Sequence, residues 1–108
     1  MRILFDASVP APLGRRLKGH EVTLSPELKW QGLKNGVLLD AAERTGFDVL
    51  VTCDQSIRYQ QNFTDRKLAV VILSTNRWRS LLPVAAKIAT AIDFAQRGQV
   101  VRVDIAEL

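Results

Sequence analysis

The chain has 108 residues, of which 47% are hydrophobic and 24% are charged, and its formal net charge at pH 7 is +4. This composition predicts one globular domain over 1–108 and excludes a disordered chain, which would combine few apolar residues with a high net charge. No apolar stretch approaches the roughly 20 residues that cross a bilayer, and a single cysteine excludes an intramolecular disulfide. The sequence therefore predicts a cytoplasmic protein with no membrane partner.

Short apolar runs alternate with helical patterns along the whole chain. The predicted strands are 2–5, 20–24, 47–52, 68–73 and 99–105, and the predicted helices are 10–18, 36–45, 54–62 and 79–97. Ser8 and Ser80 are expected to cap the first and last of these helices. Strands that alternate with helices form a parallel sheet with helices on both faces. The predicted fold is α/β: a three-layer α/β/α sandwich with a five-stranded, mainly parallel sheet.

Two acids directly follow predicted strands. Asp6 comes after the first strand and Asp54 after the third. Ligands of such sheets bind beyond the carboxyl ends of the strands, at the point where the strand order reverses. If the first, third and fourth strands are neighbours, the two carboxylates converge there, and a cation offsets their repulsion. Carboxylate oxygens suit Mg²⁺ or Mn²⁺, and a metal-activated water would then hydrolyse a phosphodiester.

Simpler roles exist for both acids. Asp54 could only cap the helix that begins there, and Asp6 could only hold the turn after the first strand. Asp40 and Glu43 lie three residues apart and share a helix face, so either could bring a third carboxylate to the site. We assign Glu43 as a catalytic acid with Asp6 and Asp54, and Asp40 as a further metal ligand. The alternative is a solvated face on which Asp40 pairs with Arg44.

Polar residues after the third and fourth strands indicate contact with nucleic acid. All of the excess positive charge lies in 55–108, which holds eight basic and four acidic residues. Arginine and amide side chains bind phosphates and base edges, and tyrosine stacks on bases. The alternative is an exposed helix at the rim of the site. The nucleic-acid-binding candidates are Arg58, Tyr59, Gln61, Asn62, Asn76 and Arg77.

The remaining distinctive side chains have structural interpretations. Trp30 and Trp78 are expected to pack in the core or at its rim rather than to stack on bases. Cys53 is expected to be a small buried residue, because no histidine is placed to activate it. His20 follows Gly19 at a helix end and is expected to be structural or exposed.

Three segments together resemble a known family. Residues 3–6 (Ile-Leu-Phe-Asp), 19–22 (Gly-His-Glu-Val) and 50–54 (Leu-Val-Thr-Cys-Asp) resemble the small PIN-like proteins, compact relatives of PIN-domain ribonucleases such as VapC-type toxins. The resemblance covers most of the chain, with Asp6 and Asp54 matching two of the family's acids. It implies a single PIN-like domain and an endoribonuclease that uses Mg²⁺ or Mn²⁺ to cut RNA. It further implies a toxin with an antitoxin protein as partner, and leaves a homo-oligomer open.

The chain departs from the family pattern at several acids. Asn35 and Gly36 stand where relatives often carry acids, and Ser74 and Asn76 replace a fourth acid. These departures motivate the main alternative, a PIN-like domain that binds nucleic acid or a protein partner without cleavage. A receiver domain phosphorylated at Asp54 is the third reading. It would need an acidic pair after the first strand and a lysine after the fifth, and the chain has neither.

Overall fold

The computed structural model describes residues 1–57, 63 and 65–106. It contains one sheet of five strands in the order β2-β1-β3-β4-β5, and every neighbouring pair is parallel. The strands are β1 (Arg2–Phe5), β2 (Glu21–Leu24), β3 (Val49–Thr52), β4 (Ala69–Leu73) and β5 (Val100–Val103). The predicted α/β fold with a five-stranded parallel sheet is confirmed.

Helices lie in the described parts of the segments between these strands. The α-helices within the described residues are α1 (Asn35–Thr45), α2 (Trp78–Leu81) and α3 (Ala85–Phe94), and short 3-10 helices span Ala11–Arg16, Ser25–Leu28 and Leu82–Val84. No helix in this part of the chain is long and apolar enough to cross a membrane.

The central strands bury both of their faces. On β1, Ile3 and Phe5 join one apolar cluster with residues of α3 and the first 3-10 helix, while Leu4 joins a second cluster with residues of α1. Residues alternate between the two clusters along β3 and β4 as well, as the two-residue period of a strand requires. The sheet therefore separates two cores, which gives the predicted three layers.

The strand order reverses between β1 and β3. β1 pairs with β2 on one side and with β3 on the other, in a register that places Phe5 opposite Val51. The backbone N–H of Asp6 continues the ladder by donating to the carbonyl of Val51 at 3.1 Å. The carboxyl ends of the first and third strands are thus neighbours, as the argument for a shared site required.

Two of the predicted helices differ from the structure. The first is a six-residue 3-10 helix that contains Pro12 and Gly14, and no side chain bonds to its first turn. Ser8 therefore does not cap it. The predicted helix 79–97 is broken at Pro83, which has no N–H to donate and whose ring collides with the carbonyl four residues earlier. Because α2 begins at Trp78, Ser80 lies inside a helix and is not a cap.

Candidate functional site

A cavity of about 580 Å³ opens at the carboxyl edge of the sheet, beside the reversal of strand order. Its walls come from the segments that follow β1, β2, β3 and β4 and from the start of α1. The lining residues are Asp6, Ala7, Ser8, Ser25, Trp30, Gln31, Leu33, Lys34, Leu38, Cys53, Asp54, Gln55, Ser74, Thr75 and Asn76. The cavity is within the range of about 300–1,000 Å³ that is usual for small-molecule sites.

Both oxygens of the Asp6 side chain accept hydrogen bonds from the protein. Its Oδ1 accepts hydrogen bonds from the backbone N–H of Ser8 at 2.9 Å and from Ser8 Oγ at 2.5 Å. Its Oδ2 accepts a hydrogen bond from Thr52 Oγ1. Three protein donors therefore fix the orientation of this half-buried carboxylate.

The two hydroxyls that bond to Asp6 also accept hydrogen bonds. Ser8 Oγ accepts the backbone N–H of Cys53 at 3.1 Å, and Thr52 Oγ1 accepts that of Asp54 at 3.0 Å. Thr52 is fully buried. Asp6 thus ties the segment after β1 to the segment after β3, which is more than holding its own turn.

Asp54 is exposed at the same cavity and is bonded differently. Its Oδ1 accepts the backbone N–H of Ser56 at 3.0 Å and Ser56 Oγ at 2.7 Å. These bonds are of the kind that a capping aspartate makes, but most of the helix 54–62 that Asp54 was predicted to cap lies outside the described residues. Its Oδ2 has no hydrogen-bond partner among the residues that the structure describes. One oxygen remains available to a ligand, so capping and binding are compatible.

Gln55 is a cavity residue that the sequence did not single out. Its Nε2 donates to the carbonyls of Cys53 at 3.0 Å and Leu73 at 2.7 Å, and its Oε1 accepts from Arg102 Nε at 3.0 Å. It joins the ends of β3 and β4 to β5. The only sequence signal for Gln55 as a site residue is its position directly after Asp54 at the end of a strand. That position does not reveal its bonds to Leu73 and Arg102.

Asp40 and Glu43 are not in the cavity. Both bond to Arg66 Nη1, at 2.9 Å and 2.7 Å, and Glu43 also accepts the backbone N–H of Lys67 at 3.3 Å. Burial lowers the pKa of Arg66, but the hydrogen bonds to Glu43 and Asp40 outweigh it and hold that pKa above its ordinary value. The structure therefore corrects the assignment of Glu43 as a catalytic acid and of Asp40 as a metal ligand. Asp40 pairs with Arg66 rather than with Arg44.

The nucleic-acid candidates fall into two groups. Asn76 lines the cavity, and Arg77 follows it as an exposed residue whose backbone N–H donates to Thr75 Oγ1 at 3.2 Å. The other candidates, Arg58, Tyr59, Gln61 and Asn62, lie outside the described residues.

His20 lies away from the cavity. Its Nε2 is 2.5 Å from Asp93 Oδ1 on α3, and its Nδ1 is 3.3 Å from the amino group of Met1. The structural interpretation of His20 is confirmed.

The donor set at the carboxyl edge consists of oxygens. Mg²⁺ is commonly held by one or two carboxylates, with water and phosphate oxygens completing its shell. Asp6 and Asp54 fit such a two-carboxylate site. Within the described part of the chain, no group of three or more His, Cys, Asp or Glu side chains is arranged to hold a metal.

The Cys53 thiol holds its proton more tightly than an ordinary cysteine does. Burial raises the pKa of this thiol to about 11; the hydrogen bond with Ser8 lowers it in part, and the Asp6 carboxylate raises it.

We expect iodoacetamide to alkylate native Cys53 about 100-fold more slowly than the unfolded chain at pH 7.5, because only the thiolate form of cysteine reacts. The native rate should rise with pH up to about 11, and mass spectrometry measures it. The folded state holds this proton more tightly than the unfolded chain does. The thiol's contribution to the free energy of unfolding is therefore fully present below pH 9.0 and is lost as the pH rises to about 11. Equal rates for native and unfolded chains would contradict the raised pKa.

Comparison with known proteins finds no family model that matches this chain, and no similar curated protein or solved structure.

Proposed function

We propose that the protein is a metal-dependent endoribonuclease that cuts RNA in the Asp6–Asp54 cavity, and that it is the toxin of a toxin–antitoxin pair. The observation that carries the proposal is that two acids, from neighbouring strand ends, line one cavity at the reversal of strand order. The resemblance to small PIN-like proteins supplies the toxin role and the antitoxin partner.

Each residue of the cavity has a role in this proposal. Asp6 and Asp54 would hold Mg²⁺ or Mn²⁺, which when bound lowers the pKa of a water that attacks phosphorus. Ser8 and Thr52 keep the Asp6 carboxylate in one orientation through their donated hydrogen bonds. Lys34 lies on the cavity wall, where its charge attracts the phosphate backbone of RNA.

A second candidate is a module that binds RNA without cutting it. It is favoured by the bonding of Asp6, whose two oxygens already accept three protein hydrogen bonds. It is also favoured by the position of Asp40 and Glu43, which are engaged with Arg66. In this candidate the same cavity and charge serve binding alone.

Asp54→Asn tests the nuclease proposal. The amide oxygen still accepts from Ser56, so the fold is kept, but one anionic ligand is lost. We expect Mn²⁺-dependent cleavage of a single-stranded RNA to fall at least about 100-fold. Loss of a residue that only hydrogen-bonds to a metal ligand already costs about 10–100-fold, and Asp54 is a proposed ligand itself. Calorimetric titration with Mn²⁺ should lose its binding signal in parallel.

Asp65→Asn is the matched control. Asp65 is exposed and does not line the cavity, so the same change of charge should leave cleavage unaltered. A wild-type chain that binds RNA but does not cut it with either metal would support the second candidate. Cleavage that survives Asp54→Asn would refute the assigned site. Expression of the wild type, but not of Asp54→Asn, should arrest growth if the chain is a toxin.

A further inference from the structure

The cavity has a second wall that differs from its acidic end. Trp30, Leu33 and Leu38 give this wall apolar surface, and Gln31 and Lys34 add an amide and a positive charge. The proposed cleavage chemistry uses little of this wall. An indole beside an amide and a cation suits a flat, hydrogen-bonding, anionic ligand such as a nucleotide.

Trp30 is held in place by the core. Its ring meets Phe47 edge to face, with centroids 6.3 Å apart and an angle of 75° between the planes. It is half-buried against the cluster that contains Leu4 and Leu50. An aromatic ring that is already ordered loses little conformational entropy when a base packs on it.

Ser25 supplies an independent observation at the same wall. It is only 1% exposed, it lines the cavity, and its Oγ has no hydrogen-bond partner among the described residues. Buried hydroxyls without a partner are uncommon, because leaving one unmet is costly. The hydroxyl oxygen itself is closed to solvent in this rotamer, so it would meet a polar atom of a ligand after its side chain rotates toward the cavity.

The start of α1 favours an anion at the same wall. Lys34 is the residue that precedes the first turn, its side chain does not cap that turn, and the turn contains no acid. The N–H groups of that turn and the positive end of the helix dipole attract a phosphate, and the Lys34 charge adds to that attraction.

From these features we infer that the wall binds one nucleotide of a single strand, with the base against Trp30 and the phosphate at Lys34 and the start of α1. An unpaired strand is required, because the faces of a base are covered by stacking in a duplex. If the proposed function holds, on which this step rests, the bound nucleotide lies next to the phosphodiester that is cut at Asp54, and the substrate is single-stranded RNA.

The test uses the fluorescence of Trp30 in the full chain. Trp78 lies outside the cavity, so Trp78→Phe leaves Trp30 as the single tryptophan. We expect AMP, added without metal, to change this fluorescence saturably, with a Kd at or below about 1 mM. Adenosine, which lacks the phosphate, and ribose 5-phosphate, which lacks the base, should each bind at least about tenfold more weakly. In a Trp30→Phe variant that keeps Trp78, AMP should leave the tryptophan fluorescence unchanged.

Two variants separate binding from folding. Lys34→Gln should weaken AMP binding about tenfold, the loss of one charge-assisted contact. Ser25→Ala should weaken it by a similar factor while the melting temperature stays equal or rises, because an unpartnered hydroxyl is removed. A drop in melting temperature with unchanged AMP binding would mean that Ser25 is only structural and would overturn its part in the subsite.

The outcomes also distinguish this inference from the nuclease proposal. No fluorescence change up to about 10 mM AMP, or equal affinity for AMP and inorganic phosphate, overturns the subsite whether or not RNA is cut. AMP binding that persists in Asp54→Asn supports the subsite. A chain that binds AMP but never cleaves RNA refutes the nuclease and leaves the nucleotide subsite standing.

Discussion

Asp6→Ala is expected to lower the free energy of unfolding by about 3–4 kcal/mol, whereas Asp54→Ala should lower it by less than about 1 kcal/mol. The alanine at position 6 removes an acceptor that receives the Ser8 N–H, the Ser8 hydroxyl and the Thr52 hydroxyl. Hydrogen bonds to a charged group contribute about 1.5–3 kcal/mol, and the losses at one carboxylate overlap. Asp54 is exposed, and its bonds to the described residues all go to Ser56, so water can replace it there. Urea denaturation of the three proteins measures the difference.

A double-mutant cycle with Thr52→Val checks the origin of that loss. Valine keeps the shape of the buried threonine but neither donates to Asp6 nor accepts from the N–H of Asp54. If the Thr52–Asp6 bond carries the loss, the two variants should couple by at least about 1 kcal/mol. Simple additivity would show that the loss at Asp6 comes from elsewhere.

The two acids are therefore unsuited to the same functional experiment. Activity lost in an Asp6 variant would not separate a missing metal ligand from a disordered cavity, because Asp6 joins the segments after β1 and β3. Asp54 lacks this ambiguity, since its substitution leaves those bonds in place. The functional assignment should be judged on Asp54 first.

The sequence predicted most of the fold because the positions of its apolar residues indicate which segments are buried. Strands such as 68–73 are continuous apolar runs, which suit a sheet covered on both faces. The break at Pro83 was missed because the helical spacing of apolar residues runs across it, although proline cannot continue an α-helix in its interior. Strand neighbours could be stated only conditionally, since a run of apolar residues does not specify its partner.

The candidate site was predicted only in part, for a geometric reason. Asp6 and Asp54 were found because strand ends at one edge of a parallel sheet share a cavity. The three-residue spacing of Asp40 and Glu43 shows that they share a helix face, but not which end of the sheet they reach. A helix that leads into a parallel strand runs back toward that strand's beginning. The later residues of α1 therefore lie beside Asp48 and Lys67, away from the acids.

The hydroxyls around Asp6 were also beyond the sequence pattern. Ser8 was interpreted as a helix cap because serine precedes a proline-containing segment, and that interpretation ignored the acceptor two residues earlier. The sequence places Thr52 only as the last residue of the predicted strand 47–52. Its second role depends on the register of β1 with β3, which places it beside Asp6.

Gly98→Ala is expected to lower the free energy of unfolding by about 2–4 kcal/mol, because the added methyl group combines backbone strain with a steric clash. Gly98 has φ +72°, where an L-residue is strained, and a Cβ there would lie 3.0 Å from the carbonyl oxygen of Arg66 and 3.1 Å from that of Phe63. These are backbone atoms of the segment that leads into β4, and the N–H of Gly98 already bonds to Leu68 there at 3.2 Å. Relief would require that segment to move, together with the guanidinium that holds Asp40 and Glu43.

Gly19→Ala isolates the backbone strain from the clash. Gly19 has φ +83°, but nothing lies within 4 Å of a Cβ at that position. Its alanine variant should therefore lose only the strain of the left-handed conformation, about 1–2 kcal/mol. Thermal unfolding should separate the two variants by several degrees, because 1 kcal/mol moves the midpoint of a 60–100-residue domain by about 4–8 °C. Equal losses would mean that the carbonyls of Phe63 and Arg66 give way, and that the approach of β5 to the segment before β4 is not fixed by Gly98.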